Sequence, residues 1–97
     1  MRDAAELNMV MAVVLVNVQA EATERVATEL AEIDGVSEVF SVAGNYDLVV
    51  LLRVRDNEAL ADLVTSRIRA VAGITRTETL IGFRAYSRRE LATLFNE

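Results

Sequence analysis

The stretch of this sequence most suited to binding chemistry consists of four consecutive residues, Gly44, Asn45, Tyr46 and Asp47. An aspartate carboxylate is a strong acceptor for N–H donors, and a tyrosine phenol both donates and accepts hydrogen bonds. The Gly44-Asn45 pair also has a structural explanation, because both residues tolerate the positive φ of a two-residue hairpin turn. Equally, Tyr46 could pack at the start of a strand, and Asp47 could accept backbone N–H bonds within the turn.

Cysteine and histidine do not occur in the sequence, which removes several classes of site. Disulfides, thiolate or imidazole metal sites, and cysteine or histidine nucleophiles are excluded together. No loop clusters the oxygen ligands that a hard cation requires. A small enzyme of this sequence would have to conduct acid–base chemistry with carboxylates and with Tyr46 or Tyr86. We therefore expect a non-catalytic protein without a metal or other cofactor.

The charge distribution disfavours direct DNA binding. The net charge is −5, and all 10 basic residues are arginines, scattered between Arg2 and Arg89. A surface that binds duplex DNA needs concentrated positive charge, because it must displace the counterions of the phosphates. In this sequence the acidic residues outnumber the basic ones.

The length and the apolar content indicate one compact domain. The chain has 97 residues, of which 53% are hydrophobic, and it contains no proline. A domain of this size buries only about 60% of the surface that its unfolded chain exposes, so association with another subunit would add stability. The apolar run Val10–Val18 is too short to span a bilayer, and Asp3 and Glu6 precede it where a secretory signal is positive. We expect a cytoplasmic protein that does not enter membranes.

Hydrophobic periodicity predicts alternating strands and helices. Continuous β-branched runs indicate strands, and apolar residues at helical spacing indicate amphipathic helices that a glycine ends. The predicted strands are Val10–Val18, Val36–Val42, Asp47–Val54 and Ile74–Tyr86. The predicted helices occupy 22–33, ended by Gly35, and 56–71, ended by Gly73, and a capping box at 87–90 opens a short C-terminal helix. The order βαββαβ is that of an α+β, ferredoxin-like fold.

One face of the predicted sheet has no helix to cover it. Right-handed crossovers place both helices on the same face, and this topology puts the first and third strands in the centre. Val10–Val16 and Leu48–Leu52 show no polar alternation, which is typical of strands buried on both faces. Leaving such side chains exposed would forgo roughly 1.5 to 3 kcal/mol each. We expect a second subunit to pack sheet to sheet, the alternative being that the N-terminal segment folds across this face.

These elements and their loops resemble the effector-binding domain of the Lrp/AsnC (feast/famine) transcription regulators, also called the RAM domain. The resemblance covers about 11–86 and is carried by Gly35-Val36, the loop Val42–Asp47, Gly73-Ile74 and Thr77–Thr79. Its most specific element is the glycine, two residues, aspartate arrangement that ends at Asp47, between the second and third strands. The resemblance implies a dimeric α+β barrel that functions in the transcriptional regulation of amino acid metabolism. It also implies homodimers that assemble into even-numbered oligomers, up to an octameric ring.

The resemblance further implies a ligand site. In that family the hairpin loop lines a pocket between neighbouring dimers, where loop groups meet the α-ammonium and the α-carboxylate of an amino acid. Thr77 and Thr79 share one face of the last strand, and their hydroxyls could bind the ligand or the neighbouring loop, although threonine is also a common strand residue. The residues expected to bind a small-molecule amino acid are Gly44, Asn45, Tyr46, Asp47, Thr77 and Thr79.

Full-length members of this family carry an N-terminal helix-turn-helix, whereas only Met1–Met9 precede the first strand in this sequence. The chain therefore resembles the stand-alone type, which has no DNA-reading module. An alternative function is that of a protein-interaction subunit that co-assembles with full-length Lrp/AsnC regulators. Arg76 and Arg84 stand at the opposite strand parity to the threonines, and we expect them to form surface or interface ion pairs.

Overall fold

The computed structural model describes residues 9–86 and Arg88, and this part of the chain forms one sheet with two helices. The elements follow in the order β1 (Val10–Val18), α1 (Thr23–Ala31), β2 (Val36–Ser41), β3 (Leu48–Val54), α2 (Asn57–Asp62) and β4 (Ile74–Ile81). The chain continues from α2 through a π-helical segment, Leu63–Ile68. The predicted βαββαβ order and the ferredoxin-like α+β class are confirmed.

Each helix is bounded by groups that the sequence supplies locally. The carboxylate of Asp56 accepts the N–H of Ala59 at 2.8 Å and so caps α2. Helix α1 ends sooner than the predicted boundary at 33, because the N–H groups of Glu32 and Ile33 bond to carbonyls three residues back and tighten the last turn. Gly35, with φ of 98°, then turns the chain into β2. Neither helix, nor any other in the described residues, is long and apolar enough to cross a membrane.

The sheet has the strand order β2-β3-β1-β4, and every neighbouring pair is antiparallel. The first and third strands are therefore central, as predicted, and β2 and β4 form the edges. Val14 lies opposite Val50 on one side and Thr79 on the other. Because residues opposite each other project to the same face, this register decides which face each β4 side chain occupies.

Both helices cover one face of the sheet, and the core lies between the two layers. Alternate residues of the central strands are buried there, together with the apolar residues of α1, α2 and the π-helical segment. The buried core consists of Ala12, Val14, Val16, Val26, Leu30, Leu48, Val50, Leu52, Val54, Leu60, Leu63 and Ile68.

Within residues 9–86 no helix covers the opposite side of the sheet, which we call the open face. Its central apolar side chains are only partly buried in the single chain. Phe40 and Leu80, on the two edge strands, are 46% and 47% exposed. The apolar side chains of the open face are Met11, Val13, Leu15, Phe40, Val49, Leu51 and Leu80. The described part of the chain thus buries its central strands fully on one face and leaves the other face apolar and without a covering layer, while the alternative cover, the N-terminal segment before β1, lies outside the described residues.

The hairpin between β2 and β3 differs from the predicted two-residue turn, and that prediction is wrong. Strand β2 ends at Ser41 and β3 begins at Leu48, so six residues connect them. Gly44 has φ of 135°, but Asn45 does not adopt a positive φ. The N–H of Val42 donates to the carbonyl of Asp47 at 3.0 Å and closes the loop.

The last strand is also shorter than predicted. It ends at Ile81 and not at Tyr86, because the N–H of Gly82 makes a final bond to the carbonyl of Met11 and the chain then leaves the sheet. Phe83 follows and is 99% exposed. The predicted C-terminal helix that opens at the capping box 87–90 lies outside the described residues.

Candidate functional site

The loop between β2 and β3, residues 42–47, is held against the end of β1. The backbone N–H of Asp47 donates to the carbonyl of Val16 at 2.9 Å. The side-chain amide of Asn17 donates to the carbonyl of Asn45 at 2.9 Å. Both bonds join residues about thirty positions apart, so the loop conformation depends on β1 as well as on the loop's own sequence.

The carboxylate of Asp47 strengthens this attachment. Its Oδ2 atom accepts the backbone N–H of Val18 at 2.9 Å and the side-chain amide of Asn17 at 3.4 Å. Asp47 therefore accepts a backbone N–H, as one sequence-based alternative supposed, but the donor belongs to β1 and not to the turn. The Oδ1 atom receives no hydrogen bond from the residues that the structure describes.

The phenol of Tyr46 connects the loop to the far edge strand. Its hydroxyl donates to Oε1 of Glu78 on β4 at 2.5 Å. The hydrogen bond to Glu78 raises the pKa of Tyr46 above its ordinary value of 10.0, because ionisation would remove the donated proton. Desolvation and the negative charge of Glu78 raise this pKa further, and the positive charge of Arg76 opposes them.

Glu78, which accepts the hydrogen bond from Tyr46, and Arg76 both lie on the open face. Glu78 is opposite Leu15, and Arg76 is opposite Asn17, in the register between β1 and β4. Leu80, the next residue of β4 on this face, is opposite Val13. One end of the apolar open face is therefore bordered by an exposed carboxylate, an exposed guanidinium and the ordered hairpin loop.

Thr77 and Thr79 share a face of β4, as predicted, but that face is the one beneath the helices. They lie opposite Val16 and Val14, both fully buried, and are themselves partly buried. The structure thus connects the loop to β4 through Glu78, which stands between the two threonines and projects to the other side. A contact between either threonine and a ligand stays a prediction.

Gly44 and Asn45 form the exposed tip of the loop. A Cβ atom added at Gly44 would meet no atom within 4 Å, so space is open around this backbone. Asn45 contributes its carbonyl to the bond with Asn17 described above. All four predicted loop residues are consequently close together, in an ordered segment that a ligand or a neighbouring subunit could reach.

A groove of about 470 Å³ lies at the opposite end of the sheet. Its walls include Gly35, Arg53, Asp56 and Glu58, and none of the six predicted site residues. It is wide open to solvent. The hairpin cluster, and not this groove, combines ordered polar groups with the apolar open face.

A family model for the Lrp/AsnC ligand binding domain matches residues 11–92. The chain belongs to this family. The match begins at the second residue of β1 and extends past the end of β4, so it includes all but the first residue of the sheet, both helices and the hairpin loop.

Individual Lrp/AsnC relatives and solved structures agree with this assignment. TTHA0845 from Thermus thermophilus has 44% sequence identity and a TM-score of 0.77, over 81% of this chain and 99% of that chain. The feast or famine regulatory protein Rv3291c from M. tuberculosis, complexed with L-methionine, has 31% identity and a TM-score of 0.71, over 92% of this chain and 60% of that one. The HTH-type transcriptional regulator FL11 from Pyrococcus horikoshii is 32% identical over 76 residues. This chain spans half or less of the length of the curated regulators it matches.

Sequence reasoning missed Glu78 as the partner of the Lrp/AsnC loop. The two side chains that meet, Tyr46 and Glu78, are 32 positions apart, and no local pattern relates them. One signal was present, because Glu78 alternates with Thr77 and Thr79 and therefore had to project to the other face. The register that places this face beside Tyr46 becomes visible only in the folded sheet.

Proposed function

We propose that this Lrp/AsnC domain is a non-catalytic effector-binding and oligomerisation domain for the transcriptional regulation of amino acid metabolism, and that its effector is a free amino acid. The observation that supports it best is the hairpin loop, which Asp47 and Tyr46 fix at the edge of a bare apolar sheet face. The L-methionine bound to the regulator from M. tuberculosis supports an amino acid as the class of effector. Direct contact with DNA forms no part of the proposal, since the chain has a net charge of −5.

The proposed site contains the loop and the threonines of β4. Backbone N–H groups near Gly44, the phenol of Tyr46 and the Oδ1 atom of Asp47 supply donors and acceptors for the polar groups of an amino acid. Asp47 also keeps the loop in place through Val18. Thr77 and Thr79 belong to the proposed site through their hydroxyls, which lie on the helix side of β4.

The proposed assembly is a homodimer formed by two open faces. The seven apolar side chains of this face stay at least partly exposed within one chain, and burial against a second sheet stabilises by about 25 cal/mol for each Å² removed from water. This is the dimeric α+β barrel arrangement. Dimers would combine further into even-numbered oligomers, up to an octameric ring, with the effector bound at boundaries between subunits. An effector that prefers the assembled state shifts the equilibrium towards it.

A second candidate function is co-assembly with full-length Lrp/AsnC regulators. It is favoured by the same bare face, because an apolar surface of the shared family fold can pair with a related domain as well as with its own copy. Purified chain and a full-length regulator would be mixed and analysed by native mass spectrometry. Mixed oligomers support this function, and complete failure to exchange subunits rejects it.

Isothermal titration calorimetry with each of the twenty free L-amino acids tests the effector proposal. At least one should bind the wild-type protein, and Asp47→Ala, which releases the loop from Val18, should weaken that binding about tenfold or more. Asp34→Ala is the matched control, because it removes an exposed carboxylate in the turn between α1 and β2. Circular dichroism verifies that both variants remain folded. Absence of binding by the wild-type protein to any of the twenty would refute the proposed effector.

A further inference from the structure

Two opposite charges stand side by side on the open face of the edge strand β4. Arg76 and Glu78 are separated by one residue, Thr77, which projects to the other face. Their Cα atoms are therefore about 6.7 Å apart along the strand. Both residues are exposed, and within 9–86 and Arg88 the structure contains a salt bridge for neither of them.

Glu78 has a fixed orientation, although it is exposed. The hydroxyl of Tyr46 donates to its Oε1 atom, and no other hydrogen bond to this carboxylate occurs in the described part of the chain. The phenol occupies one carboxylate oxygen and leaves Oε2 available to a further donor. An oriented carboxylate of this kind loses less side-chain entropy when it binds a cation than a freely rotating one does.

Arg76 belongs to the same cluster. It stands two residues before Glu78 on the same face of β4, and its positive charge lowers the pKa of Tyr46, against the larger effect of Glu78. Arg76 lies opposite Asn17, whose side chain is already bound to the loop at Asn45. Register therefore puts Arg76 between the strand position that holds the loop and the position of Glu78, and within the described residues no hydrogen bond engages its guanidinium donors.

We propose that Glu78 and Arg76 are the charged recognition pair of the effector site, Glu78 accepting from the α-ammonium and Arg76 donating to the α-carboxylate of one zwitterionic amino acid. This inference rests on the proposed function and adds to it the residues that read the two charges. Asp47, whose Oδ2 is engaged by Val18 and Asn17, acts chiefly by keeping the loop in place. The site thereby selects ligands that carry both charges, and rejects amines or carboxylic acids that carry only one.

Glu78→Gln is the decisive substitution, because a glutamine oxygen still accepts from the Tyr46 hydroxyl while the negative charge is removed. Calorimetry with the amino acid that binds the wild-type protein most tightly should show an affinity lower by about ten- to one-hundred-fold. Glu24→Gln is the matched control. Glu24 is also exposed, but it lies in the first turn of α1, on the helix side of the sheet and outside the proposed interface, and its substitution should leave the affinity unchanged.

Ligand derivatives assign each charge to its residue. The N-acetyl form of the same amino acid lacks the ammonium, and its carboxamide form lacks the carboxylate. Acetylation should cost the wild-type protein about ten-fold or more in affinity and should cost Glu78→Gln little. Conversion to the carboxamide should likewise lower the affinity of the wild-type protein about ten-fold or more, and should lower the affinity of Arg76→Gln little. Such coupling requires direct recognition, since a residue that only supports the fold would weaken all three ligands equally.

The outcomes separate this inference from the function on which it rests. If the wild-type protein binds an amino acid and Glu78→Gln binds it equally well, the recognition pair is refuted and the effector function stands. The pair is also refuted if Glu78→Gln changes only the dimer dissociation constant, which would assign these charges to the subunit interface. If the wild-type protein binds none of the twenty amino acids, the function fails, and the recognition pair fails with it.

Discussion

The carboxylate of Asp47 accepts the backbone N–H of Val18 at 2.9 Å, and this single contact joins the β2–β3 loop to the end of β1 across 29 positions of sequence. Val18 is the last residue of β1, at a register irregularity in its pairing with β4. Its N–H is therefore available to a side chain. The loop that carries the proposed site is thus ordered by the central strand, and its order should respond to changes at Asp47.

Replacement of Asp47 by alanine should destabilise the fold. The partly buried N–H of Val18 and the amide of Asn17 would lose their acceptor, at a cost of about 1–3 kcal/mol in the free energy of unfolding. Asp47→Asn should cost less, because its side-chain oxygen can still accept from Val18. Urea denaturation of both variants measures the difference. Equal stability of Asp47→Ala and the wild-type protein would show that this contact does not hold the loop.

The contact between Tyr46 and Glu78 should contribute stability that depends on pH. The hydrogen bond raises the pKa of Tyr46 in the folded state above its unfolded value, so the contribution is fully present below about pH 10 and is lost as the pH rises through the folded-state pKa. Urea denaturation at about pH 7 and about pH 11 should therefore show that the stability difference between wild type and Tyr46→Phe is smaller at the higher pH. A difference that persists unchanged at the higher pH would contradict this assignment.

Ultraviolet titration of the tyrosines measures the pKa shift that the same contact causes. Tyr46→Phe leaves Tyr86 as the one remaining tyrosine and supplies its reference curve. The wild-type protein should show a second ionisation at higher pH than a free tyrosine, and Glu78→Ala, which removes both the acceptor and the charge, should move that ionisation back towards the ordinary pKa of 10.0.

The hairpin shows where local sequence patterns stop being sufficient. Gly44-Asn45 predicted a two-residue turn because both residues accept positive φ, yet only Gly44 does so in the structure. The N–H of Asp47 donates to the carbonyl of Val16, which holds the chain at this point against β1. The connection between β2 and β3 is therefore longer than the predicted two residues. The sequence alone located the turn correctly, but its conformation depends on a strand some thirty residues earlier.

Gly35 should be the more sensitive of two glycines that both adopt positive φ. Alanine at either position incurs backbone strain, but a Cβ at Gly35 would lie 2.8 Å from Leu63 Cδ2, whereas one at Gly44 meets nothing within 4 Å. Gly35→Ala should therefore lower the free energy of unfolding by about 1–3 kcal/mol more than Gly44→Ala. Urea denaturation of the two variants provides the comparison, and equal losses would show that packing against Leu63 is not limiting.

The faces of the strands were predictable only in part. Alternation correctly placed Thr77 and Thr79 on one side of β4 and Arg76 on the other. It did not reveal which side the helices cover, because that depends on the pairing of Thr79 with the buried Val14. The continuous apolar runs of β1 and β3, which no polar alternation interrupts, correctly predicted that these strands are central.

A charge in the centre of the open face should prevent dimer formation without unfolding the chain. Leu51 lies opposite Val13 on this face and is only partly buried in the single chain. Leu51→Asp should therefore be a folded monomer in sedimentation velocity experiments, because an unpaired carboxylate is costly to bury against a second sheet. Ser66→Asp adds the same charge to an exposed position on the helix side and should still dimerise. A dimeric Leu51→Asp protein would place the interface elsewhere.

Native mass spectrometry of the purified protein, before and after incubation with the twenty free amino acids, examines effector binding and assembly in one experiment. We expect even-numbered assemblies that gain the mass of one kind of amino acid, and that mass identifies the effector. Even-numbered assemblies that gain no amino acid mass would contradict the effector function. A bare monomer would contradict the pairing of the open faces as well.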